Sequence, residues 1–523
     1  MRKRNRSSLL FMKLAHVTAV AALFGTPLAA DARMYSYPAP SGGATTRFDY
    51  KWPPSSTYVV NDTDSTTLDR FLYRNDSSDY EITIPINIRR YVGSLGDIDK
   101  LLEKELISKT FKIHMPAYDV DSKGEPLFDC DGDGIIDPLK PEVNEVYFND
   151  ELVGVLEGNN GEWAFNDKFE LDITKLNFPA SPGEMGYNTI GIKIDVANRD
   201  VFLSSGKMGC QVWGTKIDWA SVKFEVTSPV VFVAGMSGNT GSFKNSLYAE
   251  NLKDSTGLQS KIIGHSLFVP SFSACDPKAL PSLIEHAKQM RESIQAFAEE
   301  YGTDSVHLIA HSKGGLDSRI FIKRLEKYPL LLQVGDMGGQ PVFVELKVGS
   351  LVTHSSPHLG TSIADAFVAY IPLLEYVISE LCDMTTQVMQ QVNKEYTLPK
   401  GVTSLVIGAD ADQNYDWQIN DAEAAGNQLG NPAANILYEW LRDIAQVEVD
   451  GSVTKVPTLS FQNNDTMVTV TSALIAQVEV DGSVTKVPTL SFQNNDTMVT
   501  VTSALIAQVE VDGSVTKVPT LSF

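Results

Sequence analysis

One stretch, residues 306–319, constrains the possible folds of this chain more than any other. It reads Val-His-Leu-Ile-Ala-His-Ser-Lys-Gly-Gly-Leu-Asp-Ser-Arg, an apolar strand-like run followed at once by a helix-prone run. Small residues, Ala310 and Gly314, stand two positions either side of Ser312. They permit the tight strand-to-helix turn that holds a serine hydroxyl outward in a strained backbone conformation. The stretch therefore predicts a buried strand, a serine at a sharp corner, and a helix behind it.

The pattern around this stretch predicts a mostly parallel sheet flanked by helices. From Pro229 onward, apolar β-branched runs alternate with amphipathic helical stretches, which is typical of α/β folds. The predicted strands are 230–233, 261–263, 306–309, 345–352 and 403–407, and the predicted helices are 281–301 and 316–327. Residues 33–227 instead carry short alternating runs separated by Gly, Pro and Asn clusters, which predicts an all-β sandwich domain before the α/β domain.

The first 32 residues predict a cleaved export signal. Basic residues at the start precede an apolar run over 9–24 and an Ala-Asp-Ala site at 30–32. We therefore expect a secreted protein, extracellular or periplasmic. No later run reaches the ~18 apolar residues of a transmembrane helix, so no membrane anchor is expected. Export permits disulfides, and of the three possible pairings Cys130–Cys210 is favoured because both residues fall in the first domain.

The charge balance excludes some partners. The chain of 523 residues has 43 Lys and Arg against 65 Asp and Glu, a net charge of −22. Such an excess argues against nucleic acid or an anionic membrane surface as the main partner, because both are negatively charged themselves.

An identical repeat occupies the end of the chain. The 31 residues that begin at Ile444 recur from Ile475, and again from Ile506 until Phe523. Solenoid repeats usually keep only the positions that pack, so perfect identity suggests a recent duplication or a fault of sequence assembly. The alternative is an array of β-hairpins, because each copy holds an Asp-Gly pair between alternating apolar residues. The predicted division is thus 228–474 for the α/β domain and 475–523 for repeat copies.

Four segments of 228–474 resemble the secreted bacterial lipases and esterases of the α/β-hydrolase superfamily. They are Val230–Met236, the Ala-His-Ser-Lys-Gly-Gly corner, Thr353–Asp365 and Asn464–Ala473. The resemblance implies an α/β-hydrolase fold and a serine hydrolase that cleaves lipid or other small ester substrates through an acyl-serine intermediate, with no organic cofactor. It also implies site residues. Ser312 would be the nucleophile, the amides of Met236 and Lys313 the oxyanion hole, and Asp465 the acid that orients the base.

The sequence does not offer a histidine in the position that this interpretation requires for the general base. In this fold the order along the chain is Ser, then Asp or Glu, then His, but no histidine follows His358. His354 and His358 precede the acid and are expected to be structural. The family histidine belongs where the second repeat copy begins, so the repeat is expected to have replaced the segment that carries it. Without a base a serine hydroxyl is a poor nucleophile.

Three alternatives therefore remain open. The chain could be a catalytically silent calcium-dependent binding protein with a degenerate hydrolase domain, an acyltransferase, or a polyester hydrolase. The acid also has alternatives, since Asp496 is the copy of Asp465, and Asp410 or Asp412 follows the predicted strand 403–407. The sandwich domain would bind carbohydrate or a surface, or brace the hydrolase domain.

Two acidic loops predict structural Ca²⁺. The first places carboxylates at positions 1, 3, 5 and 9 of a calcium loop and a glycine at position 6: Asp129, Asp131, Asp133, Asp137 and Gly134. Its position 12 is Lys140, so it is not a complete EF-hand. The second loop offers side-chain oxygen ligands at positions 1, 3, 5, 9 and 12 and the Gln418 carbonyl at position 7: Asp412, Asn414, Asp416, Asn420 and Glu423. Trp417 stands where a glycine is expected, and metal binding there would exclude Asp412 as the catalytic acid.

Overall fold

The architecture comes from a computed structural model of the chain. The residues that it describes are 57–60, 70–73, 81–123, 135, 140–159, 161–198, 214–217, 220–236, 240, 243–244, 247–265, 280–337, 340–361, 364–365, 368, 380–399, 401–408, 447–449, 452–454, 477–480, 483–486, 489–491, 509–511 and 514–516.

The first part of the chain forms two antiparallel sheets. Their strands are Thr57–Val60 (β1), Arg70–Tyr73 (β2), Glu81–Ile88 (β3), Thr110–Tyr118 (β4), Glu145–Phe148 (β5), Glu151–Val155 (β6), Trp163–Asp172 (β7), Gly186–Lys193 (β8), Gly214–Ile217 (β9) and Ala220–Lys223 (β10). One sheet has the order β1-β10-β4-β9-β2, with β7 paired to β4, and the other has the order β3-β8-β5-β6. In β3, buried Ile84, Ile86 and Ile88 alternate with exposed residues, as expected for a strand with one face on a core.

A helix that the strand pattern did not predict lies within this part of the chain. It runs over Leu95–Glu103 (α1) and follows a capping box. The Ser94 hydroxyl accepts a hydrogen bond from the Asp97 amide, and the Asp97 carboxylate accepts one from the Ser94 amide. The expectation of strands alone for residues 33–227 is therefore wrong in this segment. The reason is that one strong cap outweighs the surrounding alternation.

The second part of the chain is a parallel sheet with helices on both faces. Its strands are Val230–Val233 (β11), Ser260–Ile263 (β12), Ser305–His311 (β13) and Lys347–His354 (β16), followed by Thr403–Gly408 (β17). The helices are Tyr248–Thr256 (α2), Pro281–Tyr301 (α3), Lys313–Lys327 (α4) and Thr386–Glu395 (α5). The sheet order is β12-β11-β13-β16-β17, and every pairing is parallel. The predicted α/β architecture is present.

The central strands are buried on both faces. Val230 and Phe232 of β11 belong to one apolar core, and Val231 and Val233 belong to the other. The first core also contains Leu252 of α2 and extends into the antiparallel sheets, whereas the second contains residues of α3 and α4. This is why the sequence of β11 is a continuous apolar run and not an alternating one. No helix in the described residues has the length and apolar content that crossing a bilayer requires.

Two details differ from the sequence prediction. Helix α4 begins at Lys313, three residues before the predicted start, because Gly314 and Gly315 belong to the first helical turn. An antiparallel hairpin, Leu331–Met337 (β14) and Gln340–Glu345 (β15), precedes β16 and was missed. The predicted strand 345–352 joined the end of this hairpin to the beginning of the next strand.

The repeat copies contribute short strands. Each copy forms a two-stranded antiparallel hairpin: Val447–Val449 with Ser452–Thr454, Gln477–Val480 with Ser483–Lys486, and Val509–Val511 with Ser514–Thr516. The Asp-Gly pair of each copy lies between its two strands, as the hairpin interpretation requires. The sixth strand of the parallel sheet, Thr489–Ser491, pairs with β17 and comes from the second copy.

Candidate active site

Ser312 occupies a sharp corner between β13 and α4. Its φ is 53° and its ψ is −133°, a backbone conformation that costs a non-glycine residue about 1–3 kcal/mol. The Ser312 amide donates to the His354 carbonyl oxygen at 2.8 Å, and the Gly315 amide donates to the Ser312 carbonyl oxygen at 3.1 Å. The side chain is half-buried. The strand-to-helix corner that the sequence predicts is present, and its backbone is held by two hydrogen bonds.

Close packing fixes the loop after β11 against this corner. A Cβ atom added to Gly235 would lie 3.0 Å from the Ser312 Cβ, so the two residues are direct neighbours. A Cβ on Gly314 would lie 2.7 Å from the Val233 carbonyl oxygen and would also overlap that of Ala234. Met236 follows Gly235, and its side chain packs on the core of α3 and α4. The 234–236 loop thus lies directly beside Ser312.

The side chain of Lys313 points away from the corner into the protein. It is fully buried. Its Nζ lies 2.7 Å from Asp317 Oδ1, one turn later in α4, and 2.8 Å from His286 Nδ1 in α3. Burial opposes ionisation of Asp317, but the charge of Lys313 and the contact with His286 bring its pKa below the ordinary value. Sequence reasoning considered only the amide of Lys313 and missed this contact.

Three side chains of the types that bind metals lie together: His265, His286 and Glu380. The rings of His265 and His286 stack with centroids 3.6 Å apart, and their Nε2 atoms lie 3.9 and 3.7 Å from Glu380 Oε1. All three side chains are almost completely buried. Ligands of tetrahedral zinc, at bond lengths of about 2.0–2.1 Å, lie about 3.4 Å apart, so these atoms could hold a divalent transition metal after small shifts. A metal on His286 Nε2 would require the tautomer in which Nδ1 carries the proton and donates to Asp317 Oδ1, 3.4 Å away, and in that tautomer Nδ1 would not accept from Lys313.

No spacing in the sequence indicates this group. His265 follows β12, His286 lies in α3, and Glu380 comes almost a hundred residues later. Neither histidine was assigned a role from the sequence.

The region around the corner matches a family of serine esterases. Residues 227–396, less than half of the chain, match the family described as "Putative serine esterase (DUF676)". No curated protein matches the chain. Among solved structures, the mature lipase BlEst2 of Bacillus licheniformis is 18% identical, covers 47% of this chain and 78% of its own, and has a TM-score of 0.29.

Two further lipase structures give similar values. Lipase 1 of Pelosinus fermentans is 14% identical over 50% of this chain and 90% of its own, with a TM-score of 0.29. The lipase of Staphylococcus hyicus is 15% identical over 50% of this chain and 86% of its own, with a TM-score of 0.27. At such TM-scores the fold assignment rests on the sheet order and the corner described above. The family match supports an ester hydrolase.

His358, the last histidine of the esterase-like region, makes its contacts away from the Ser312 hydroxyl. His358 Nε2 lies 3.0 Å from the Thr353 hydroxyl and its Nδ1 lies 3.3 Å from the Arg319 guanidinium. Burial and then the charge of Arg319 hold the pKa of His358 well below its usual value. Burial also lowers the pKa of His311 to about 4. Within the described part of the chain, no histidine hydrogen-bonds the Ser312 hydroxyl.

Several predicted site residues lie outside the described residues. They are Asp465, the first calcium loop (Asp129, Asp131, Asp133 and Asp137) and the second (Asp412, Asn414, Asp416 and Glu423). The signal segment 1–32 and the favoured pair Cys130–Cys210 also lie outside. Cys382 is disulfide-bonded.

Proposed function

We propose that this chain is a secreted serine hydrolase that cleaves carboxylic esters through an acyl-serine intermediate, with Ser312 as the nucleophile. The observation that carries the proposal is the strained corner at Ser312, packed against the 234–236 loop. The serine hydroxyl would attack the ester carbonyl carbon, the alcohol would leave, and water would then release the acid. The match of 227–396 to serine esterases supports the same reaction.

The proposed oxyanion hole consists of the amides of Met236 and Lys313. Negative charge develops on the carbonyl oxygen only as the serine attacks, so fixed donors at that point stabilise the transition state selectively. Loss of one such donor typically costs about 2.7–4 kcal/mol. The close approach of Gly235 to Ser312 supports this assignment, since it brings Met236 next to the nucleophile.

The proposed acid is Asp465 or its copy Asp496. Asp465 has the position that the family resemblance implies. Asp496 follows the strand Thr489–Ser491, which pairs with β17 in the parallel sheet, by five residues. Substitution of each aspartate by asparagine would decide between them, because only the residue that acts on the site should lower the reactivity of Ser312.

We expect slow turnover from this chain. Residues 359–523 contain no histidine, so this stretch does not supply the usual base of the triad. A hydrolase that has lost one triad member retains roughly 10³–10⁴-fold acceleration over water from its oxyanion hole and binding. The same observation favours the second candidate, a catalytically silent calcium-dependent binding protein. An acyltransferase or polyester hydrolase would differ from the first candidate in its acceptor or its substrate.

A fluorophosphonate probe tests the proposal, because it reacts with an activated serine. We expect slow labelling of the folded wild type, because residues 359–523 do not supply the usual base, and we expect Ser312→Ala to abolish it. Ser318→Ala is the matched control, since Ser318 is a buried serine of the same helix whose hydroxyl donates to the Gly314 carbonyl. Persistence of labelling in Ser312→Ala, or its absence from folded wild type, would reject the esterase. Hydrolysis of short and long p-nitrophenyl esters would then separate esterase from lipase.

Structural calcium remains a proposal for the two acidic loops. The segments that flank the first loop in the sequence are joined, because buried Glu142 accepts hydrogen bonds from the Asp121 amide, Asn144 and Thr215. A rigid polar base of this kind would hold one end of the loop in place. Thermal unfolding with added Ca²⁺ and with EGTA tests it. A melting temperature that Ca²⁺ does not raise, or that Asp131→Asn leaves equally sensitive, would contradict the site.

A further inference from the structure

The ammonium group of Lys313 is a charge in the protein interior. Lysine is almost never fully buried unless it is paired, because burial removes the hydration of the charge. The Lys313 ammonium has two such partners, Asp317 Oδ1 at 2.7 Å and His286 Nδ1 at 2.8 Å. An apolar side chain could fill the same volume without this requirement. Packing alone therefore does not explain why a paired ammonium group is present at position 313.

The same residue belongs to the corner. Its backbone follows Ser312 directly and begins α4, whereas its side chain connects α4 to α3. His286 in turn lies beside Glu380, and nearby Asp383 accepts hydrogen bonds from the hydroxyl of Ser282 and the amide of Leu283, near the start of α3. The Lys313 side chain thus connects the backbone at 312–313 to α3, and the start of α3 is in turn hydrogen-bonded to Asp383.

We propose that Lys313 is a positioning residue for the nucleophile: its buried ammonium, held by Asp317 and His286, fixes the strained backbone at 312–313. The Ser312 hydroxyl and the Lys313 amide then keep their relative placement while the carbonyl carbon is attacked. The inference rests on the proposed function for its catalytic consequence. The physical reason is that a residue at a φ of 53° stays there only when its surroundings hold it.

The first test separates positioning from general stability. Lys313→Met leaves the Asp317 carboxylate buried without its cation and is expected to unfold easily. The double variant Lys313→Met/Asp317→Asn removes both charges together and is expected to melt close to the wild type. Lys323→Met is the matched control, because Lys323 lies in the same helix and pairs with Glu326 near the surface.

The readouts are the rate of fluorophosphonate labelling and hydrogen–deuterium exchange of peptides covering 306–316. In the double variant we expect labelling to slow at least tenfold, with exchange at the corner at least tenfold faster and exchange in α3 unchanged. Lys323→Met should match the wild type in both. Wild-type labelling and exchange at the corner of the double variant would overturn the proposal.

The two readouts keep the two hypotheses distinguishable. If folded wild type does not react with the probe at all, the proposed function fails, and the positioning role is judged on exchange alone. Unchanged exchange at 306–316 in the double variant would then refute it. A parallel rise of exchange throughout α3 and α4 would also refute it, because it would show a role in general stability.

Discussion

Gly314→Ala is a demanding test of the geometry around Ser312. Gly314 lies in the first turn of α4, and a Cβ there would lie 2.7 Å from the Val233 carbonyl oxygen, whereas ordinary contacts begin at 3.4 Å. Because backbone atoms cannot rotate away, the loop after β11 and the corner must separate by about 0.7 Å or more. Overpacking of this kind costs about 1–3 kcal/mol. Alanine in a helix recovers about 0.5–1 kcal/mol relative to glycine, so we expect a modest net loss of stability.

The effect on the reaction should be larger than the effect on stability. A displacement of about 1 Å between reacting groups can lower a rate about 10²-fold. We therefore expect the labelling rate of Ser312 to fall roughly 100-fold in Gly314→Ala while the protein stays folded. Urea unfolding and probe kinetics measure the two quantities on the same sample.

A matched control glycine should show the opposite change in stability when it is replaced by alanine. Gly96 lies in α1, and the nearest neighbour of a Cβ there would be the Ser94 hydroxyl oxygen, at 3.9 Å. Gly96→Ala should stabilise the protein by about 0.5–1 kcal/mol and leave labelling unchanged. If Gly314→Ala also stabilises the protein and labels at the wild-type rate, the 234–236 loop does not pack against the corner as described.

Three further predictions concern buried charges. Asp317→Asn should lower the free energy of unfolding by about 3–5 kcal/mol, because it leaves Lys313 buried without its carboxylate. Since the pKa of Asp317 is lowered by folding, its contribution exists above the unfolded pKa of about 3.9 and is lost at lower pH, so urea unfolding should show a smaller difference in acid. Burial and then Arg90 lower the pKa of His307 to about 4. The unfolded chain therefore binds the proton first, and His307 alone should contribute a loss of about 3 kcal/mol as the pH drops from 6.5 to 4. His307→Gln should make the slope shallower by that amount without removing it, because the lowered pKa values of buried His311 and His358 act in the same direction. Zn²⁺ should raise the melting temperature of the wild type but not of His286→Ala, and equal shifts would reject metal binding by His265, His286 and Glu380.

The sequence was most informative where the local pattern and the burial agree. The strands β11 and β13 are continuous apolar runs because both of their faces are covered, and this pattern needs no knowledge of the partners. Helix α3 has the predicted bounds because its apolar period is long. The start of α4 was placed too late because Gly314 and Gly315 read as a turn, although they are helical glycines that permit close approach to neighbouring segments.

Side-chain groupings were least predictable. A Lys and an Asp four residues apart on a helix usually indicate a solvent-exposed pair. Lys313 and Asp317 are buried only because α3 packs over them, which is a tertiary effect. The grouping of His265, His286 and Glu380 likewise exists only after three distant segments meet. The corner at Ser312 was predictable because all its determinants are adjacent in the sequence.

The last strand of the parallel sheet, Thr489–Ser491, has the same sequence as two other segments of the chain. Thr-Leu-Ser occurs at 458–460, 489–491 and 520–522, and the middle one pairs with β17. Closing the loop from β17 to the middle strand instead of the first costs only about 0.4 kcal/mol more, since this entropy grows with the logarithm of loop length. One edge of the sheet can therefore be completed in three registers, 31 residues apart, of which neighbouring ones differ in loop-closure free energy by less than thermal energy and the first and third by about 0.7 kcal/mol. Such a chain would fold into a mixture of isomers that share one composition and one core, and the first two isomers would bring different aspartates, Asp465 and Asp496, to the same edge.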